Sequence, residues 1–419
     1  MGFIKTPVKG MNDFLPKEMA LRQKVLSLIR ETYAGFGFRE IETPCMEHIE
    51  NLTGKQGGEN EKLIFKVMKR GAALSRALEK QDELADSGMR YDLTLPLSRF
   101  YAANAGALPS PFKAMQIGNV WRADQPQKGR FRQFTQCDID ILGDASILAE
   151  IELIGATGLM IAKLLEGTDL GGFTIHVNDR RILRAMALSV GFPEEKLESV
   201  FIILDKLDKI GVDGVRAELL AEGLAESAVD AYTAIFTRES SLTVSDFCSF
   251  LSEEFLDASV PQGLDNILAC VKNTLNGKAT LSFDPTLVRG MGYYTGTIFE
   301  VTLDEYHFSI AGGGRYDEMI GKFSGQKTPA CGFSIGFERI ITILRDHPGT
   351  LSAEMEEGVA FLVAGEASAE KLQEVFDLAA SLRSEGKIVT VLPLKKNAKF
   401  QIDRLIEDGY TDIRRIYND

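Results

Sequence analysis

Apolar residues Leu21, Val25, Leu28, Ile29 and Tyr33 recur at helical spacing, which predicts a helix over residues 15–34 that stops at Gly35 and Gly37. FREIETP then reads as a strand closed by Pro44. Residues 54–90 are polar and charged with helix-like spacing in parts, and RYDLTLPLSRFYAANA (90–105) predicts a short strand running into a helix. Residues 113–143 alternate as two arms around a DQPQKG turn; with no long crossover between them, they predict an antiparallel pair. An amphipathic helix over 148–165 leads to the strand FTIHVND (173–179), and residues 181–277 turn helical and loop-rich. Strand character returns in LSFDPTLVRGMGYYTGTIFEVTL (281–303) and FSIAGGGRYD (308–317), and a helix is expected after CGFSIGFERI (331–340). Past RDHPGTLSAEMEEG (345–358), the remaining pattern predicts a small βαβα domain.

These patterns give an α+β chain. Its core occupies residues 1–180 and 278–345, an all-helical insertion fills 181–277, a linker spans 346–358, and a short α/β domain takes 359–419. A length of 419 residues is consistent with two or three domains. No apolar run approaches the roughly 20 residues that a membrane helix needs, and the N-terminus lacks a signal-peptide core, so a cytoplasmic protein with no membrane partner is expected.

A net charge of −13 argues against a generic basic nucleic-acid coat, while leaving room for a structured RNA bound through local patches. Cys45, Cys137, Cys248, Cys270 and Cys331 are scattered without a CxxC pair, and His48, His176, His307 and His347 are equally dispersed. Neither set has zinc-ligand or disulfide spacing.

The chemistry concentrates in WRADQPQKGRFRQFTQCDIDILG (121–143). Arg122, Arg130 and Arg132 alternate with Phe131 and Phe134 and are followed by Gln136, Asp138 and Asp140. Guanidiniums can fork onto phosphate, an aromatic face can stack a purine, and buried carboxylates can fix an amine or a ring N–H. RYDLT sets Asp92 and Thr94 two residues apart, on one side of a strand, as a clamp for an ammonium group; an N-cap cluster is the competing structural explanation. LVRGMGYYTGTIFE brings Arg289, Tyr293 and Tyr294 among glycines, AGGGRYD brings Tyr316, and GFSIGFERI brings Arg339. Arg122, Arg130, Arg289 and Arg339, drawn from three segments of an acidic chain, point to phosphate neutralisation. The chain has neither a P-loop nor a GxGxxG motif after a strand.

These segments resemble histidyl-tRNA synthetases, a class II aminoacyl-tRNA synthetase family, over nearly the whole chain. GFREIETP, the 121–143 run and CGFSIGFERI resemble the three class motifs. LVRGMGYYTG and AGGGRYD look like the two histidine signatures, and KGMNDFLP and LDKLDKIG are also similar to family members. The resemblance implies a class II antiparallel sheet flanked by helices, a helical insertion, an anticodon-binding α/β domain, and a homodimer formed partly through the first motif. It further implies that histidine and ATP form histidyl-adenylate, with Mg2+ on the ATP phosphates, and that histidine then passes to the 3′ end of tRNA(His).

By the same resemblance, Arg122 holds the α-phosphate, Asp124 and Phe134 frame the adenine, and Arg130 and Arg339 grip the outer phosphates. Arg289 bridges the substrate carboxylate and the α-phosphate. Asp92, Thr94 and Gln136 receive the amino group and its surroundings, while Asp140 and Tyr294, with Tyr293 and Tyr316, read the imidazole. The metal ligands are not implied for any residue. Two features depart from the family pattern: Gly292 stands where the signature often has Asp, and the C-terminal domain is short. The competing reading is a non-catalytic relative, the regulatory subunit of ATP phosphoribosyltransferase, which binds histidine on the same fold. Such relatives typically lose phosphate-gripping arginines, whereas Arg122, Arg130, Arg289 and Arg339 are all present here.

Overall fold

The structure is a computed structural model that describes residues 2–53, 62–126, 131–236, 243–289, 292–306, 308–351 and 358–418. Contacts divide the chain into a larger unit, Met1–Asp13 with Ser27–Thr350, and a smaller unit, Phe14–Leu26 with Leu351–Asp419.

In the larger unit the strands are, in chain order, β1 (Arg39–Glu40), β2 (Met46–His48), β3 (Lys66–Met68), β4 (Ala85–Met89), β5 (Phe112–Trp121), β6 (Gln133–Leu142), β7 (Phe173–Asp179), β8 (Thr280–Phe283), β9 (Thr297–Leu303), β10 (Ser309–Arg315) and β11 (Ala330–Gly336). Among the described residues, eight of them form one sheet in the order β1-β5-β6-β11-β10-β9-β7-β8, and β2, β4 and β3 form a small antiparallel sheet. The large sheet is antiparallel through its middle. At its edges, β1 runs parallel to β5 and β8 parallel to β7, so the expected antiparallel sheet carries a parallel pair at each edge.

Period-two alternation explains why β6 separates chemistry from packing. Cys137, Ile139 and Ile141 are buried among apolar groups, while Gln136, Asp138 and Asp140 share the opposite face. Helix Leu148–Leu164, whose residues Leu153, Ile154, Met160 and Ile161 are fully buried, is apolar around most of its circumference rather than along one stripe. Between β7 and β8 the chain is helical, from Arg180–Ser189 to Ser259–Leu275.

Two further local expectations are corrected. The strand expected over FREIETP shrinks to two residues, Arg39–Glu40. In RYDLT the strand ends at Met89, and Thr94 already opens helix Thr94–Asn104. Asp92 Oδ1 accepts the Leu95 N–H at 3.1 Å, so the aspartate caps the helix start with one oxygen.

In the smaller unit, β12 (Gly358–Val363), β13 (Ile388–Pro393) and β14 (Tyr410–Ile416) make a parallel sheet in the order β13-β12-β14. Helices Ala369–Ser384 and Ala398–Glu407 connect them. TDIRRIYN is thus a third strand, and the motif is βαβαβ. Among the described residues, no helix is long and apolar enough to cross a membrane.

Candidate active site

Strand register gathers the site. One row crosses the sheet through Gln116, Asp138, Ser334, Gly312, Glu300 and His176, and the next through Ala114, Asp140, Gly332, Gly314 and Ile298. Asp138, Ser334 and Gly312 of the first row and Asp140 and Gly332 of the second line a cavity of about 300 Å³. The cavity is lined by Asp92, Thr94, Arg122, Asp124, Phe134, Gln136, Asp140, Arg289, Tyr293, Tyr294, Tyr316 and Arg339, so it collects every site residue expected from sequence except Arg130, which lies outside the described residues.

One part of the cavity is acidic and buried. Asp92 Oδ2, Gln136 Oε1, Asp138 Oδ1 and Asp140 Oδ2 are buried without a hydrogen-bond partner. Such groups are costly to bury unsatisfied, which marks them as acceptors waiting for a donor. Tyr316 Oη donates to Asp140 Oδ1 at 2.6 Å. Gln136 Nε2 donates to Ser334 Oγ at 2.9 Å, and Ser334 in turn holds Asp138.

Burial pushes the Asp140 carboxyl up to about 7; the Tyr316 hydroxyl opposes the rise and the Asp92 charge adds to it. Burial, then the Asp140 charge, raises Asp138 well above the usual carboxylate range. Burial also raises Asp92, against its backbone hydrogen bond from Leu95 and the charge of Arg122. The Tyr293 ring lies 4.8 Å from that of Tyr294 and 6.0 Å from that of Tyr316, closing an aromatic wall beside the carboxylates.

The arginines face the same space. Arg122 Nε donates to the Tyr91 carbonyl at 2.9 Å, and its guanidinium sits 5.1 Å from the Phe134 ring centroid. Arg339, in the first turn of helix Phe337–Asp346, donates from Nη1 to the Ser309 carbonyl next to a bulge in β10. Arg289 follows Leu287, whose carbonyl is held by Asn178 Nδ2 at 3.1 Å, and it is ion-paired to Glu300.

Two glycines make the geometry possible. A Cβ at Gly332 would stand 1.9 Å from Asp140 Oδ1, and one at Gly312 would stand 2.5 Å from the Arg289 guanidinium carbon. Both polar groups therefore lie flat over a neighbouring strand that only glycine leaves open. Gly292 is different: a Cβ there would meet nothing within 4 Å.

Sequence reasoning named Asp138 only among the carboxylates of the 121–143 run, without a specific role, and gave none to Ser334, Glu300 or Glu338. Asp138 was findable, because it shares a face with Gln136 and Asp140. Ser334 and Glu300 enter only through the pairing of β6 with β11 and of β10 with β9. Glu338, whose Oε1 accepts the Thr135 N–H at 3.2 Å, lines the cavity beside Arg339.

Arginines and unsatisfied carboxylates in one cavity on a largely antiparallel sheet suit a class II aminoacyl-tRNA ligase, which brings ATP and an amino acid together. The family model described as histidyl-tRNA synthetase matches residues 10–340. A histidine–tRNA ligase of Leifsonia xyli subsp. xyli is 43% identical, with 97% of this chain and 94% of that protein covered. The solved histidyl-tRNA synthetase of Nostoc sp. PCC 7120 superposes with a TM-score of 0.77 at 27% identity, covering 97% of this chain and 90% of that one. A Bacillus halodurans C structure titled ATP phosphoribosyltransferase regulatory subunit/histidyl-tRNA synthetase shares the fold, at 19% identity and a TM-score of 0.78 over 99% of both chains. The chain belongs to the histidyl-tRNA synthetase family, and its reaction is the ligation of histidine to tRNA with ATP.

Proposed function

We propose that the cavity runs this ligation in two steps, with the roles of its residues divided between the acidic part and the arginines. The observation that carries the reading is the set of partnerless buried acceptors, Asp92 Oδ2, Gln136 Oε1 and Asp140 Oδ2, in one cavity with Arg122, Arg289 and Arg339. Histidine brings an ammonium and a ring N–H to the acceptors, and its carboxylate and the ATP phosphates go to the arginines.

Asp92, Thr94 and Gln136 take the ammonium end, and Asp140, with Tyr293, Tyr294 and Tyr316, takes the imidazole. A pocket of this kind rejects an isostere lacking the ring nitrogens, because its own polar groups would stay unpaired. Phe134 and Asp124 frame the adenine, while Arg130 and Arg339 hold the outer phosphates.

In the first step a carboxylate oxygen of histidine attacks the α-phosphorus. The bond to the bridging oxygen breaks, and pyrophosphate leaves with that electron pair. Arg122 and Arg289 offset the negative charge gathering between carboxylate and phosphate. In the second step the terminal ribose hydroxyl of tRNA(His) attacks the carbonyl carbon, AMP departs, and the hydroxyl proton is lost.

Among the described residues, no three His, Cys, Asp or Glu side chains gather as a metal site. The residues suit a Mg2+ carried by the phosphates, which Glu338, beside Arg339 in the cavity lining, would help to hold and which would supply charge neutralisation. The α/β domain of residues 359–419 is the anticodon-binding module, the enzyme pairs as a homodimer partly through the segment around β1, and it works in the cytoplasm with tRNA(His).

An acid-quench experiment tests the order of steps. Histidine, ATP and enzyme alone should yield enzyme-bound histidyl-adenylate, and later tRNA(His) should consume it. Adenylate that forms only when tRNA is present would overturn the two-step reading.

A further inference from the structure

Arg289 carries a long stem with many rotamers, yet its role demands one orientation. The structure fixes it from three directions. Its Nη1 donates to Glu300 Oε2, its guanidinium lies flat on Gly312, and Asn178 holds the carbonyl two residues before it. Its Nε is buried with no partner.

Arg289 lines the cavity and Glu300 does not. Glu300 sits one strand further along the same row, opposite Gly312 on β10, on the side away from β11 and the carboxylates. Its own surroundings are polar. His176 stands opposite on β7, with Nε2 3.0 Å from Thr302 Oγ1 and Nδ1 3.7 Å from Asp284 Oδ2. Asp205, at the end of helix Leu197–Leu204, adds a second negative charge that couples to Arg289.

We infer that Glu300 is the positioning residue for Arg289: it holds one edge of the guanidinium from behind, so that the remaining N–H groups face the point where substrate carboxylate and α-phosphate meet. This rests on the role given to Arg289 above. An ion pair on the side away from the cavity orients an arginine without competing for the substrate, whereas a carboxylate inside the cavity would compete.

Steady-state histidine-dependent pyrophosphate exchange tests it in wild type, Glu300→Ala, Glu300→Gln, Arg289→Ala and Arg289→Ala/Glu300→Ala. A loosened catalytic arginine should lower kcat by roughly 10–100-fold in Glu300→Ala, with a smaller change in the KM for histidine. Glu300→Gln keeps an acceptor oxygen and should recover part of the rate. The double variant should be no slower than Arg289→Ala, since Glu300 would act only through Arg289.

A Glu300→Ala rate at or above wild type would overturn the inference, and the latter would make Glu300 a latch. A double variant slower than Arg289→Ala would overturn it as well. If removing the side chain prevents folding, Glu300→Gln and Arg289→Ala/Glu300→Gln give the same comparison at nearly unchanged volume. Wild-type protein without histidine-dependent exchange would reject the reading of the cavity itself, and is told apart because it needs no variant.

Discussion

Tyr316 Oη donates to Asp140 Oδ1 at 2.6 Å, and both side chains are buried. The hydroxyl takes one carboxylate oxygen and leaves Oδ2 without a partner, which orients the remaining acceptor toward the cavity. A hydrogen bond to a charged group contributes about 1.5–3 kcal/mol, so Tyr316→Phe should weaken histidine binding by roughly tenfold or more. Titration calorimetry on the two proteins checks this. An unchanged affinity would mean that the hydroxyl only fills space.

Under the proposed roles, the buried carboxylates would tie histidine binding to protons. An unfolded aspartate titrates at about 3.9, whereas folded Asp140 titrates at about 7 and Asp138 and Asp92 are also raised. The folded, ligand-free protein therefore holds protons that the unfolded chain has released. These groups stabilise it below about pH 4, and Asp140's share is lost as pH rises through about 7. A ring N–H beside Asp140 favours the ionised form, so Asp140's share of the proton exchange on histidine binding at about pH 6.5 should be a release. Binding heats measured in two buffers of different ionisation enthalpy should then differ, and Asp140→Asn should remove most of the difference. Equal heats with the wild type would contradict the assignment.

Gly332→Ala adds one methyl group and removes no functional group. Its Cβ would stand 1.9 Å from Asp140 Oδ1 and 3.2 Å from the Tyr316 ring, so the carboxylate must move. A misplacement on the order of 1 Å can cost about 100-fold in rate. We expect histidine activation to fall far more than ATP binding does. Full activity would show that Asp140 does not need to lie over β11.

Gly292→Asp should be tolerated by the fold. The glycine is exposed, and its Cβ position is open. The thermal midpoint should correspond to a stability change within about 0.5 kcal/mol. A large drop would show that the residue is glycine for a conformational reason.

Lys395, Lys396 and Lys399 are exposed around the start of helix Ala398–Glu407. Replacing them with Gln should weaken tRNA(His) binding and flatten its salt dependence while leaving histidine activation unchanged. An unaltered salt slope would remove this patch from the tRNA interface.

Legibility followed distance along the chain. The β5–β6 pair and β7 were readable because each is a local alternating run and the paired strands lie close along the chain; part of the DQPQKG turn expected between them lies outside the described residues. The small sheet of β2, β3 and β4 was not, because two of its strands are three residues long and carry no period to detect. The site behaved the same way. Motif residues Arg122, Phe134, Gln136 and Asp140 announced themselves within one segment. Arg339 was readable only in company, and Glu300 and Gly332 acquired meaning only when the β9–β10–β11–β6 register set them beside Arg289 and Asp140. Asp92 and Thr94 reached the cavity from a helix start rather than from a strand, because the aspartate cap ends the extended segment early.

The central claim is that this cavity activates histidine and no other amino acid. Exchange of labelled pyrophosphate into ATP, measured with histidine and with each other amino acid in turn, tests it most directly. The account predicts exchange with histidine alone, reduced by orders of magnitude in a folded Arg289→Ala variant. Exchange with another amino acid, or none with histidine in a protein that still binds it, would contradict the account.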